Sequence, residues 1–302
     1  MKAIVVSRYG PPEGLKFVDL DKSIPKENEV CVRIHATSVT AGDAMLRRMK
    51  LPLRWIMGLF MGGLGKNKVL GHEFAGVVES VGDEVSQYQP GDQVFGSTGM
   101  KGGAYAEFIC VSEDSMIAMM PANLTFEEAA AIPIGGNTAL HILKTGSLQA
   151  EQNVLIYGAS GSVGSYAVQL AKYFGANVTG VCSTRNLKWV KEIGADETID
   201  YTQDDFTKNG KSYDVIFDAV GKISRSLCKN VLRENGAFLT VRSTTKETQE
   251  NLLLLKDLIE RGKIRPIIDR IYTFNQITDA HSYADTGHKK GNIAITVIPS
   301  QK

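Results

Sequence analysis

Val154-Leu155-Ile156-Tyr157-Gly158-Ala159-Ser160-Gly161-Ser162-Val163-Gly164 is the stretch that decides the fold. Its apolar opening suits a strand buried on both faces. Beyond it, Val163, Ala167, Leu170, Ala171 and Phe174 recur at helical spacing, and Gly175 supplies a stop. A strand therefore runs through a glycine-rich turn into a helix. The turn aligns on the dinucleotide fingerprint as Ala159-x-Gly161-x-x-Gly164, with alanine in place of the first glycine. Gly161 lets the backbone approach a pyrophosphate and Gly164 lets the helix pack on the strand, while unpaired N–H groups at the helix start face the anion. A second strand, Ala176 to Cys182, follows in the order a nucleotide-binding unit requires.

The end of that second strand selects the nucleotide. An NAD site places Asp or Glu there for the ribose 2′-OH. This chain reads Val181-Cys182-Ser183-Thr184-Arg185-Asn186, with no acid. Arg185 and the hydroxyls of Ser183 and Thr184 suit a 2′-phosphate, which a carboxylate would repel. The cofactor expected is NADPH; the competing reading leaves Arg185 as an ordinary surface charge.

At 302 residues the chain is too long for one ordinary core, so two domains are expected. With 43% hydrophobic and 22% charged residues the composition is that of a globular protein, and a net charge of +1 points to no nucleic-acid partner. Cys31, Cys110, Cys182 and Cys228 are widely spaced with no C-x-x-C pair, which indicates neither a disulfide framework nor a zinc cluster. The start, Met1-Lys2-Ala3-Ile4-Val5-Val6, reads as a short strand, not a signal peptide. The apolar stretch from Leu51 to Leu64 is broken by Arg54 and glycines, so no membrane span is expected. A cytoplasmic enzyme fits these features.

The first hundred or so residues read as short strands, among them Val30 to His35, Phe74 to Val81, Gln93 to Phe95 and Ala104 to Val111, separated by turns such as Gly82-Asp83 and Pro90-Gly91-Asp92. Thr125 and Glu128 form a capping-box pattern that opens a helix. Strands and helices then alternate through Glu197 to Asp200, Tyr213 to Asp218 and Ala237 to Val241, which implies a parallel sheet covered by helices. A long helix over Gln249 to Arg261 precedes a closing strand, Asn292 to Val297, expected to return to the first domain.

Landmarks along nearly the whole chain carry a family resemblance. They are Tyr9-Gly10-Pro11-Pro12, Gly71-His72-Glu73-Phe74-Ala75-Gly76, Gly91-Asp92-Gln93-Val94-Phe95, Gly136-Asn137-Thr138-Ala139, Gly158 to Gly164, Gly194-Ala195-Asp196, Phe217-Asp218-Ala219-Val220-Gly221 and Gly262-Lys263-Ile264-Arg265-Pro266. The sequence resembles the medium-chain dehydrogenase/reductase superfamily, in its zinc-independent quinone-oxidoreductase-like (zeta-crystallin-like) branch. The resemblance implies an α/β protein in which a Rossmann domain (123–267) is inserted in a GroES-like β-rich catalytic domain made from 1–122 and 268–302. It implies cofactor contacts from Asn137, Thr138, Gly158, Ser160, Gly161, Ser162, Val163, Gly164, Ser183, Arg185, Tyr201 and Val220, and a homodimer.

Zinc-dependent relatives hold their metal at positions that read Thr40, His72 and Ile134 here. One imidazole cannot make the three-ligand site of metal catalysis, so no metal is expected and His72 reads as a hydrogen-bonded structural histidine. The chemistry left is hydride delivery from NADPH to a quinone or an α,β-unsaturated carbonyl, whose conjugation spreads the arriving charge onto oxygen. The acceptor pocket is expected between the domains, with Thr40, Asp43, Trp55 and Phe60 lining it and Leu51 to Met61 as a lid. Thr40 and Asp43 are the only catalytic candidates, and no proton donor other than water stands out. Two other readings remain open at this point: a non-catalytic NADPH-binding protein, and an alcohol or aldehyde reductase of the same superfamily. One departure from the family stands out. After Val241 the chain runs almost directly into the long helix, without the further sheet strand that relatives use near the nicotinamide and at the dimer edge.

Overall fold

The structure is a computed structural model and describes residues 1–50 and 68–298. The chain divides into two compact units, Met1–Ile134 with Ile268–Lys302, and Gly135–Ile267.

The first unit opens with β1 (Lys2–Val6), β2 (Leu15–Asp19), β3 (Glu29–Ser38) and the helix α1 (Ala41–Arg48). There follow β4 (Lys68–Val69), β5 (Glu73–Val81), β6 (Gln93–Ser97), β7 (Phe108–Ser112) and β8 (Ile117–Met119), then the single turn of α2 (Phe126–Ala129). The next helix, α3 (Pro133–Thr145), leads to β9 (Asn153–Tyr157), α4 (Ser162–Tyr173), β10 (Asn177–Cys182), α5 (Leu187–Glu192), β11 (Glu197–Asp200), β12 (Tyr213–Asp218) and β13 (Leu232–Thr240). The chain closes through α6 (Gln249–Glu260), β14 (Ile268–Thr273), α7 (Ile277–Asp285) and β15 (Asn292–Thr296).

In the first unit the larger sheet runs β14-β15-β3-β5-β6-β8, with β7 pairing β3, and a smaller one runs β2-β1-β4. The closing strand β15 lies antiparallel to β3 and parallel to β14, with α7 as the crossover. Two cores form: Ile4, Leu46, Tyr105, Phe274 and Ile295 in one, and Val32, Ile34, Phe74, Val94 and Ile117 in the other. The expected strand from Ala104 to Val111 is shorter than the pattern suggests. The Ile4 N–H donates to the Tyr105 carbonyl and the Tyr105 N–H to the Leu70 carbonyl, so this piece is tied to β1 and to the residue after β4, and regular pairing starts at Phe108.

Residues 123–134, which the sequence assigns to the nucleotide-binding domain, pack with the first unit. Thr125 and Glu128 close the expected capping box at α2. Phe126 stacks on His35 at 4.4 Å, and the Thr296 hydroxyl donates to Glu127 at 2.7 Å. The boundary moves because these contacts hold the helix to β3 and β15 of the first unit.

In the second unit β11-β10-β9-β12-β13 form an all-parallel sheet. Val154, Leu155 and Ile156 of the central β9 are fully buried, as a strand covered on both faces must be. After Thr240 a single turn leads toward α6, whose N-cap is Thr248, and no sixth strand follows β13 among the described residues.

Candidate functional site

The turn after β9 is built for close approach. Gly158 has φ +83°, which favours glycine. A Cβ on Gly164 would fall 2.1 Å from the Gly158 carbonyl oxygen, so only glycine lets α4 sit this near the strand end. A methyl added at Gly161 would meet the Gly158 carbonyl oxygen at 3.5 Å, an ordinary contact distance, so the backbone there is only lightly crowded. No side chain caps α4, and its first internal bond is Ser165 N–H to Gly161 O at 2.9 Å. The N–H groups of Ser162, Val163 and Gly164 precede that bond and so have no intrahelical acceptor. A run of available donors at the helix start, beside a lightly crowded glycine, is a cradle that fits a pyrophosphate.

The carboxyl end of β10 gives the second part. Ser183 and Arg185 lie at a 3₁₀ turn covering Thr184–Asn186, with Arg185 exposed. Asn186, buried and not singled out by the sequence, donates to Ser160 Oγ at 3.0 Å and to Ser183 Oγ at 3.2 Å. It thereby ties the glycine turn to the end of β10 while leaving the Ser183 hydroxyl proton to be donated elsewhere. Thr184 behaves differently from expectation. Its hydroxyl donates to Asp200, so it has no proton for a phosphate. Asp200 also accepts from the Thr202 N–H at 3.0 Å and hydroxyl at 2.7 Å; the Thr184 hydroxyl first, and then these, hold its carboxyl below the ordinary range. Tyr201 is half exposed, and its N–H donates to the Cys182 carbonyl at 3.1 Å, which brings it beside Ser183.

The remaining cofactor candidates divide. Val220 lies over the turn, since a Cβ on Gly158 would be 2.5 Å from its Cγ1. Its N–H and that of Ile223 are held by the buried Asp218 carboxylate at 3.2 and 3.1 Å. Arg242, just past β13, packs its side chain on Gly221 and is a cation at this end of the sheet that sequence reasoning missed. Asn137 serves the fold: fully buried, it donates to the Thr248 carbonyl at 2.9 Å and accepts from Asn251 at 3.3 Å, fastening the start of α6. Thr138 beside it is buried.

In the first unit, Thr40 and Asp43 form a capping box at the start of α1. Asp43 is completely buried, so it is not the acceptor-pocket contact that the sequence suggested. One of its oxygens accepts from the Thr40 N–H at 2.9 Å and hydroxyl at 2.6 Å. The other accepts from the Gly71 N–H at 3.0 Å and lies 2.6 Å from His72 Nδ1. Burial pushes the Asp43 carboxyl up, but the charge and hydrogen bond of His72 and the Thr40 hydroxyl outweigh it and hold the pKa at about 2. An ionised carboxylate only accepts, so His72 donates from Nδ1. Asp43 is therefore a positioning residue for His72.

Beneath it lies a buried set that the sequence did not reveal. Arg47 is fully buried; it donates to Asp285 at 2.5 Å, to the Gly10 carbonyl, and to His281 Nδ1 at 3.3 Å. Because Nδ1 accepts, His281 carries its proton on Nε2, 3.0 Å from the Tyr105 hydroxyl. Of the positions where relatives hold zinc, Thr40 is committed to the cap and the Ile134 N–H donates to Glu73 at 2.6 Å. Among the described residues, no group of three or more His, Cys, Asp and Glu side chains is placed to hold a metal ion. Trp55, Phe60 and the lid from Leu51 to Met61 lie outside the described residues.

Known proteins resemble this chain in sequence and fold. Residues 26–122 match the alcohol dehydrogenase GroES-like domain and residues 162–272 the family described as zinc-binding dehydrogenase. The chain is 32% identical to 2-methylene-furan-3-one reductase of Solanum lycopersicum, over 99% of its own length and 80% of that protein. It is 31% identical to the chloroplastic NADPH-dependent alkenal/one oxidoreductase of Arabidopsis thaliana, with the same coverage. Among solved structures, the quinone oxidoreductase from Coxiella burnetii superposes with a TM-score of 0.86 at 28% identity, covering 99% of both chains. With a GroES-like unit formed from both ends of the chain, an inserted parallel sheet, and relatives of this identity and coverage, the chain belongs to the medium-chain dehydrogenase/reductase superfamily, in its quinone-oxidoreductase-like branch.

Proposed function

We propose that the protein is an NADPH-dependent reductase that delivers hydride to a quinone or to the double bond of an α,β-unsaturated carbonyl, without a metal. The observation that carries this reading is the cradle itself: the lightly crowded Gly161, uncapped N–H groups at α4, and Ser183 with Arg185 at an end of β10 that carries no acid. The α4 donors hold the pyrophosphate, and the Ser183 hydroxyl with the Arg185 guanidinium holds the 2′-phosphate. NADPH supplies, when bound, a hydride from C4 of its nicotinamide. Val220, fixed by Asp218, forms the apolar wall over the turn.

The acceptor class follows from what the chain lacks and what its relatives are called. Thr40 and Ile134, where a catalytic zinc would need ligands, leave an isolated carbonyl unpolarised, whereas a quinone or enone carries the incoming charge onto its own oxygen. Water supplies the proton that completes reduction. Relatives named as reductases of a methylene-furanone, of alkenals and alkenones, and of quinones support the same class. The test is NADPH consumption against a panel of quinones, enals, enones and saturated aldehydes, with products identified by mass spectrometry. Turnover confined to quinones and conjugated carbonyls supports the reading; turnover of saturated aldehydes alone overturns it.

A further inference from the structure

Cys31 and Cys110 are far apart in sequence, but β3 and β7 set them directly opposite one another. The ladder fixes which kind of pair they form. On one side the Glu113 N–H donates to the Asn28 carbonyl at 3.0 Å; on the other the Ile34 N–H donates to the Glu107 carbonyl at 2.8 Å. Antiparallel ladders alternate, so counting inward from both bonds makes Cys31 and Cys110 a non-hydrogen-bonded pair. At such a pair the Cα atoms lie about 4.5 Å apart and the side chains are at their closest. A disulfide requires Cα atoms roughly 4.4–6.8 Å apart and Cβ atoms roughly 3.5–4.5 Å apart. The register therefore sets the two residues at the Cα separation that a disulfide needs.

The surroundings suit oxidation. Cys31 is buried, with its thiol 3.7 Å from the Ser23 carbonyl, while Cys110 is partly exposed and opens the pair to solvent. The Cys110 thiol donates to Cys31 and the nearby Lys22 ammonium adds to this, so against its burial the Cys31 thiol is lowered to about 7. Lys22 is itself fixed by Glu79 at 2.6 Å and by the face of Phe108 at 4.2 Å. The other two cysteines contrast with this pair. Cys182 and Cys228 are buried, and burial pushes their thiols up to about 12 and about 11.

We propose that Cys31 and Cys110 are a redox-active dithiol that an organic hydroperoxide closes to a cross-strand disulfide. The deprotonated sulfur of the pair attacks the terminal peroxide oxygen, the O–O bond breaks, and an alcohol leaves with the proton. The resulting sulfenic acid is attacked by the second thiol; the S–S bond forms, the S–O bond breaks, and water leaves. Two thiols are oxidised by two electrons and one hydroperoxide is reduced to an alcohol and water. Among the described residues β7 pairs only with β3, so the bond fastens this strand to the one that runs on to Ser38 and the Thr40 cap.

The full chain is treated with cumene hydroperoxide under native conditions, alkylated, and analysed by intact mass and peptide mapping. The expected result is that two of the four cysteines escape alkylation and the chain loses the mass of two hydrogen atoms. A Cys31–Cys110 linked peptide appears, and dithiothreitol restores every thiol. In Cys110→Ser no linked peptide forms. All four thiols remaining alkylatable, the loss mapping to Cys182 or Cys228, or Cys110 accumulating as sulfinic acid with no linked peptide would overturn the proposal. The wild-type map decides the matter even where the serine variant fails to fold.

Discussion

Arg185 is the residue on which the proposed preference for NADPH turns. A guanidinium–phosphate contact is charge-assisted and worth about 1.5–3 kcal/mol, and exposure at this strand end places it near the lower limit. At about 1.4 kcal/mol per decade, Arg185→Ala weakens NADPH binding about tenfold and leaves NADH nearly unchanged. The preference also shrinks as ionic strength rises, because the contact is screened. Titrating both nucleotides against wild type and variant at low and high salt checks this; equal losses for the two, or a wild type that prefers NADH, would contradict it. Ser183 and Arg185 stand out in the sequence as candidates because they follow their strand directly. Thr184 looks equivalent to Ser183 on paper, yet its hydroxyl is taken by Asp200, an acid from the neighbouring strand. Asn186 and Arg242 are illegible for a related reason: their roles rest on contacts with Ser160 and Gly221, which no local pattern announces.

The elements show the same division. The fingerprint strand, turn and α4 are where the spacing places them, and so is the capping box at Thr125, because propensity, cap and period all act within a few residues. The box at Thr40 follows the same local rule, but its acid also serves His72, 29 residues on. The bond from α1 to α7 joins Arg47 and His281 across 234 residues and leaves no trace in the sequence. That helix pair makes a pH prediction. Burial lowers the His281 imidazole to about 4, against an ordinary value of 6.5, with Arg47 and Arg48 acting in the same direction and Asp43 and Asp285 opposing. Between pH 6.5 and about 4 the unfolded chain binds a proton that the folded chain refuses. The stability His281 confers is thus complete above 6.5 and falls as pH drops through that window, by about 3 kcal/mol at most. Urea unfolding at a series of pH values should show this slope reduced in His281→Asn, whose amide can still accept from Arg47. An equally steep slope in the variant would contradict the assignment. Asp43, held at about 2, adds its own loss only below 3.8.

The whole molecule is the GroES-like and Rossmann combination that the landmarks imply, because those glycines and turns sit where backbone geometry allows little else. Gly164 against the Gly158 carbonyl is one instance. The shortened passage after Val241 is also visible in the sequence. The structure turns directly from β13 toward α6, and the tomato relative aligns over 329 positions with this chain of 302 residues. What no pattern could supply is the acceptor, since the stretch expected to cover it has no clear strand or helix period. Chelation and isotope transfer together check metal-free hydride delivery to a conjugated carbonyl. The protein is chelated exhaustively and turned over with an enone and NADPH deuterated at the transferred C4 position. The predicted result is turnover at the unchelated rate, with one deuterium in the product at the carbon β to the carbonyl. A rate abolished by chelation and restored by zinc, or deuterium at the carbonyl carbon, would contradict it.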